Sequence, residues 1–430
     1  MVMYVLGVVL FALGIAFTVA WHELGHFATA RRFGIRVPEF MVGWGRTLFS
    51  RRVGETEFGF KLIPIGGYVR MVGMLPPKPG ERYGRTRKSG PFQGLIESAR
   101  AESELQWQSG DETRQFYTRA PWRRIVVMAA GPVMNLILAV LLLGISLMAI
   151  GTPGTMTVGW VSKCMVAAPV GGSAAASDCP PGAPPSPAAA AGLLPGDTIL
   201  RLDGVRYQRW EDFRRAVRTV GGTVPLVVSR GGQELTLTIT PVVTTLPRLD
   251  GEPGTEQGAF LGYAPTADYQ RQDLGFVAGE INRYVTRTGA ALAALPGRVP
   301  ELFGQAFLGR ERGLDSPVSV VGVSRLGGEI LGHDSPLKPR LVFFLSLLAG
   351  VNVSMFLINL LPLPPFDGGH IMAAAWESVR RRLARLRGRA DPGPVDLAKL
   401  MPVAYVVGLL FIGYSALVVL ADVFNPLRFS

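Results

Sequence analysis

Four long apolar runs decide what this chain can become. They lie at about 1–30, 125–150, 341–370 and 401–424 of the 430 residues. Crossing the hydrocarbon layer takes about 20 mostly apolar residues in a helix. Lipid offers no partner to a bare backbone amide, so each run must close its own hydrogen bonds as a helix. The sequence therefore predicts a polytopic α-helical membrane protein with four transmembrane helices. The first run is too long for a cleaved signal peptide, and its polar cluster is in the wrong place for one.

The connections carry charge unequally. Residues 31–124 hold 18 Lys/Arg against 9 Asp/Glu, and residues 371–400 hold 7 against 3. Residues 151–340 are nearly balanced, with 18 against 17. Cytoplasmic connections carry the Lys/Arg excess. This orients the chain with its N-terminus, residues 151–340 and its C-terminus outside, and 31–124 and 371–400 inside. The same bias explains the net charge of +12 without nucleic acid. Cys164 and Cys179 both fall in the outer segment. There they are either a disulfide or two separate thiols.

Residues 31–75 are rich in Gly and strand formers, and "FGFKLIP" alternates, which predicts a membrane-associated β-hairpin on the cytoplasmic side. Residues 76–124 read as a polar cytoplasmic loop with one amphipathic helix near 95–105. Residues 151–245 read as a compact α/β domain with strands at 156–161, 226–229 and 234–240 and the helix "WEDFRRAVRTVGG". It is interrupted by a low-complexity Ala/Pro/Gly/Ser insertion at 167–191. Residues 246–340 read as an extracytoplasmic linker with amphipathic helices at the outer membrane surface, and 371–400 as a basic cytoplasmic loop.

The first run contains "VAWHELGHFA" at 19–28. In a helix, His22 and His26 share one face and reach a single metal ion, and Glu23 between them is placed to take a proton from water at that ion. Two histidines and a glutamate satisfied by hydrogen bonds alone are the competing reading. It is disfavoured because each ionisable group at membrane depth costs about 2–3 kcal/mol or more.

Catalytic zinc takes three protein ligands. The third run breaks at "NLLPLPPFDGGH", residues 359–370. Broken backbone at membrane depth is tolerated only where it lines protein or a water-filled cavity. Asp367 enters such a cavity and completes a His₂Asp site, with Pro362 helping to break the helix. A plain turn after the helix is the alternative. His333 lies in the outer segment, and His370 after Gly-Gly suits a cap or a support for a ligand. In the second run, "GPVMN" places Gly131 for close packing, and Asn135 either to orient a histidine or the scissile carbonyl or to join helices.

These motifs, in this order, resemble the site-2 protease family of intramembrane zinc metalloproteases, whose bacterial branch includes the RseP-type regulators of envelope stress. "HELGH", "GPVMN" and "NLLPLPPFDGGH" carry the resemblance. "FGFKLIPIGGYVRMVG" is similar to the family's hairpin, and "SPAAAAGLLPGDTILRLDGVRYQRWEDFRRAV" to its PDZ domains. The resemblance implies His22, His26 and Asp367 as Zn²⁺ ligands, Glu23 as the catalytic acid/base, and Asn359 as holding the substrate strand or shaping the broken helix. It also implies an inserted extracytoplasmic PDZ-like domain that screens substrates and can capture a peptide C-terminus. The implied substrates are single-pass membrane proteins of the anti-sigma-factor type, already trimmed by a first protease, with signal-peptide remnants second. One PDZ-like module is visible where some members carry two, and the insertion falls near its groove.

A helical substrate must unwind before hydrolysis, and an exposed strand edge within Phe58–Val69 is expected to pair with it. A membrane metal transporter or sensor would need neither Glu23 nor an outer PDZ-like domain. A catalytically inactive PDZ scaffold would not need the intact Glu23.

Overall fold

A computed structural model describes residues 2–76, 108–165, 182–207, 209–247, 255–266, 268–308, 316–332 and 337–425, with 179, 249, 310 and 312 between them. The amphipathic helix expected near 95–105, most of the insertion, and His333 lie outside these residues. Among the described residues, four helical stretches are long and apolar enough to cross a membrane: Val2–Arg32, Pro121–Ile150, Leu337–Asn359 and Leu397–Phe424. The contacts divide the chain into a helical unit and a sheet-rich unit.

In the helical unit, α1 (Val2–Arg32) ends on Arg31 and Arg32, which favour the negative end of the helix dipole. Next come β1 (Glu39–Val53) and β2 (Thr56–Arg70). They form more than a simple hairpin. Residues 49–53 return antiparallel along 56–60. Residues 39–42 lie on the other side of 57–60 and advance in step with them, Glu39 opposite Glu57 through Val42 opposite Phe60. Residues 67–70 then run antiparallel to 39–42. Each strand is bent, the first at Gly43 and Gly45, whose φ angles of 93° and 89° suit only glycine. The result is four short segments side by side. Phe58–Phe60 is interior, and the edges are 49–53 and 67–70. Within the Phe58–Val69 stretch expected to expose an edge, residues 67–69 do so and Phe58–Phe60 do not.

The stretch after the undescribed 77–107 docks onto the base of this sheet. Phe116 is buried, and its amide bonds the Val72 carbonyl. Arg36 and Asp111, both nearly inaccessible, pair at 2.8 Å.

Helix α2 (Pro121–Gly144) begins on Pro121, which has no amide to leave unpaired. It continues into a π-helical stretch at Ile145–Ile150. The sheet-rich unit, residues Ser146–Asp273 with 310–317 and 425–430, follows. Its strands are β3 (Thr152–Pro153), β4 (Val158–Val161), β5 (Thr198–Leu202), β6 (Val205–Arg206), β7 (Val224–Arg230), β8 (Gln233–Ile239), β9 (Val242–Pro247), β10 (Thr255–Phe260), β11 (Tyr263–Pro265) and β12 (Tyr269–Gln270). Helix α3 (Pro187–Ala190) is a single turn capped by Ser186, and α4 (Trp210–Thr219) is the helix expected from "WEDFRRAVRTVGG". A four-stranded sheet runs in the order β6-β5-β7-β8, while among the described residues β11 pairs with β4 alone. Phe213, Leu226, Val228 and Ile239 close the core with no exposed surface. Strands β9–β12 carry this unit past 245, the limit expected from sequence. Cys164 and Cys179 are joined by a disulfide.

The helical unit resumes with α5 (Leu274–Phe307), α6 (Val320–Gly332) and α7 (Leu337–Asn359). Helix α6 packs on the first half of α1, where Gly327 and Gly328 admit Phe11 and Val8. A turn at 360–366 leads into α8 (Asp367–Leu386), and α9 (Met401–Phe424) closes the unit. The third apolar run thus ends its helix at Asn359. Half of the expected basic loop is helical, because Gly369, Ala373 and Ala374 give α8 a face that can be buried.

One ion pair of the sheet-rich unit yields a pH prediction. The Asp197 carboxylate, 1 % exposed, accepts two bonds from Arg230 at 2.7 Å each and one from the Leu194 amide at 2.9 Å. The Arg230 bonds hold its carboxyl below the usual carboxylate range. A depressed folded-state pKa stabilises above the unfolded value of about 3.9 and stops doing so as pH falls through the folded value. In the full chain, protection of the β5 and β7 amides against hydrogen exchange, relative to their intrinsic rates, is expected to fall below about pH 4. Asp197→Asn is expected to raise exchange at neutral pH and to flatten that dependence.

Candidate metal centre

His22 and His26 lie one turn apart on the buried face of α1, each 5 % exposed. Their Nε2 atoms are 3.1 Å apart. Asp367, the first residue of α8, places Oδ2 3.3 Å from both. Among the described residues this is the group of three His, Cys, Asp or Glu that can hold a metal ion, with its ligand atoms within 4.8 Å of one another.

The turn before Asp367 is held tightly. A Cβ on Gly368 would meet the Leu360 and Leu361 carbonyls, and one on Gly369 would meet the Pro364 nitrogen at 2.6 Å. No other residue pair lets α8 start this close to the end of α7. Asp367 also sits in the first turn of α8, where the helix dipole favours an anion.

Helix α2 orients the imidazoles. His26 Nδ1 lies 2.8 Å from the Val127 carbonyl, which can only accept, so Nδ1 carries the proton and Nε2 keeps its lone pair. His22 Nδ1 lies 3.1 Å from the Asn135 amide. With Nδ2 facing His22, Asn135 Oδ1 is a buried acceptor without a partner. Turning the amide over offers Oδ1 to an Nδ1–H and frees His22 Nε2 as well. Asp367 Oδ2 is likewise buried without a hydrogen-bond donor. Three unspent lone pairs thus converge on one point, and two imidazole nitrogens with one carboxylate oxygen suit zinc.

Gly131 makes room for this. A Cβ there would meet His22 Nε2 at 2.7 Å and overlap His26 Nε2. Glu23 lies on the partly open side of α1, next to Gly67, and the Val69 backbone hydrogen-bonds its carboxylate. Two other residues singled out from sequence stand apart. Asn359 spends its amide donor on the Met355 carbonyl of its own helix at 3.0 Å, and Pro362 is exposed on the turn. His370 is outside the ligand group and packs edge-on to Phe116. Sequence reasoning missed the Val127 carbonyl, since a backbone group has no residue signature.

Helices long and apolar enough to cross a membrane thus surround a candidate His₂Asp metal centre with a glutamate beside the first histidine, an arrangement that fits the class of membrane metallohydrolases. Residues 10–400 match the profile of Peptidase family M50. The chain is 34 % identical over 445 residues to the zinc metalloprotease Rip1 of Mycobacterium tuberculosis, covering 99 % of both proteins. It is 32 % identical over 438 residues to Rip1 of Mycolicibacterium smegmatis, again with 99 % of both covered. It is 28 % identical over 416 residues to the metalloprotease MmpA of Caulobacter vibrioides, with 91 % of both covered. The chain belongs to Peptidase family M50, the family of the site-2 proteases.

The contact at Gly131 is testable. Gly131→Ala should help α2 as a helix by about 1 kcal/mol yet put a methyl group against both ligand nitrogens. Metal content of the purified variant is expected to fall well below one ion per chain while the protein stays folded. Full metal loading would refute the site.

Proposed function

We propose that this protein is a zinc metalloprotease that cuts single-pass membrane proteins within their transmembrane segments. One observation carries this reading. His22, His26 and Asp367 converge at the depth of two apolar helices, with Glu23 beside them. Family membership makes the chain a zinc metalloprotease.

Bound zinc supplies Lewis acidity, polarising a carbonyl and acidifying water. His22, His26 and Asp367 hold it, with Asn135 and Val127 keeping both imidazoles in the ligating tautomer. Glu23 accepts the proton of the attacking water and passes it to the leaving amine nitrogen.

The unwound substrate needs partners for its exposed amides. Residues 67–70 supply an edge beside Glu23, facing away from residues 39–42. The Val69 backbone hydrogen-bonds Glu23, so Val69 and Gly67, two residues apart, both direct main-chain groups toward the centre. The substrate adds to this edge as a strand and delivers its scissile bond to the metal. Asn359 and Pro362 border the turn that admits it.

The charge bias supports an orientation with the N-terminus and sheet-rich unit outside a bacterial inner membrane. The Cys164–Cys179 bridge fits an oxidising compartment. In the PDZ-like reading of that unit, the free edge of β11 beside α4 receives a peptide C-terminus, with Tyr263 packed on Trp210 and Phe213. The bridged insertion leaves from the β4-paired side of β11, where the Ser162 amide bonds the Gly262 carbonyl two residues before Cys164. This unit screens substrates, and an anti-sigma factor trimmed by a first protease is the substrate type the reading favours.

Purified protein given a transmembrane peptide in detergent is expected to cleave it, and to stop when a zinc chelator is added. Glu23→Gln should lower the rate by about 10²–10⁴-fold, the contribution of a positioned acid/base. Cleavage that survives either change rules out the mechanism. Val69→Pro removes one amide facing Glu23 and spares the pairing with β1, and each lost hydrogen bond is worth about 1 kcal/mol. A fall of about five-fold in kcat/KM is therefore expected, and an unchanged value would exclude a role for this amide.

A further inference from the structure

The candidate ligands come from two helices, and the two histidines sit one turn apart on α1, where α2 orients their rings. Asp367 is different. It stands at the very start of α8, and α8 can hold it in place only if its own register is fixed. The buried face of α8 is built from Gly368, Gly369, Ala373, Ala374 and Glu377. Four of these five are small, so the face is smooth. A smooth helix face has no knobs to resist sliding or rotation along its neighbour.

The exception is Glu377. Its side chain has no exposed surface and pairs with Arg124 of α2, itself 3 % exposed. The same carboxylate takes Arg381 of its own helix at 3.0 Å and the Val395 amide at 2.9 Å. A buried ion pair is a poor way to add stability, because well-packed apolar residues often do as well or better. Its best-attested use is to specify register, since a displaced partner leaves a buried charge unpaired.

The placement on α2 fits that use. Arg124, Val127, Gly131 and Asn135 are spaced three, four and four residues apart, so they lie along one face of the helix. From that face Val127 orients His26, Asn135 orients His22, and Gly131 admits both rings. Arg124 then reaches Glu377, ten residues or about 15 Å along α8 from Asp367. A slip of α8 by one turn would move Asp367 by about 5.4 Å, out of reach of any ion held by the histidines.

We propose that Arg124 and Glu377 are positioning residues. Their buried pair sets the register of α8 against α2 and so fixes the Asp367 carboxylate opposite the two imidazoles. This inference rests on the zinc reading of the centre.

The test uses full-length protein in detergent, stripped of metal and titrated with Zn²⁺ against a chromophoric chelator. The visible spectrum of the Co²⁺ form then reports the ligand set. Two variants are compared, Glu377→Gln and the double change Arg124→Met with Glu377→Met, which keeps apolar packing in place of the pair. Asp111→Asn is the control, because it breaks the equally buried Arg36–Asp111 pair and holds no ligand.

Both variants are expected to bind zinc about 10–100-fold more weakly, the usual cost of removing support behind a ligand. Their Co²⁺ spectra should approach that of Asp367→Ala, and kcat should fall while KM stays. Asp111→Asn should melt lower yet bind zinc at the wild-type level. Wild-type zinc affinity and a wild-type Co²⁺ spectrum in the double variant would overturn the proposal. So would a double variant that fails to fold, since the pair would then serve folding alone. Zinc loss equal to theirs in Asp111→Asn would overturn it too. A wild-type chain that binds no zinc would instead refute the metal centre itself, before any variant is compared.

Discussion

The close approach of α2 to the histidine face of α1 is the contact on which the centre depends. At Gly131 there is no side chain, and both ligand nitrogens occupy the space a methyl group would fill. Ionisable groups at membrane depth are costly. They become tolerable when each has a partner, and here the partners come from the helix that Gly131 lets in. The Val127 carbonyl and the Asn135 amide each take one imidazole, which leaves both remaining nitrogens directed at one point.

The carboxylate arrives by a different route. Helix α7 stops at Asn359, the chain turns over seven residues, and α8 starts on Asp367 with two glycines against the turn. Polar chemistry is thereby confined to the start of a helix, where main-chain amides are unpaired and favour an anion. The bent sheet of β1 and β2 completes the surroundings by bringing the 67–70 edge beside Glu23. Helices thus hold the candidate ligands, and the edge proposed to receive the substrate is a strand.

Much of this was legible in the sequence. Long apolar runs can only be helices in lipid, so the four spans followed from composition. The spacing of His22 and His26 and the prolines before Asp367 break the apolar pattern where it is most costly, which marks them as chemistry. Other features were hidden for physical reasons. Glu377 reads as one more charge in an arginine-rich stretch, and only tertiary packing reveals it as buried. The same arginines made 371–400 look like a solvated loop, although α8 runs to Leu386. Alternation in "FGFKLIP" correctly signalled strands, yet the bends at Gly43 and Gly45 put Phe58–Phe60 in the interior of the sheet and left 67–70 at its edge. Local pattern specifies a strand, but long-range pairing decides which strand is free.

The central claim is that two imidazoles and the Asp367 carboxylate share one zinc ion. X-ray absorption at the zinc edge, on purified full-length protein and on Asp367→Ala, tests it most directly. The account predicts nitrogen and oxygen neighbours at about 2.0–2.2 Å, imidazole scattering from two rings and no sulfur, with one oxygen neighbour changed in the variant. A sulfur neighbour, a single imidazole, or a spectrum unaltered by Asp367→Ala would contradict it.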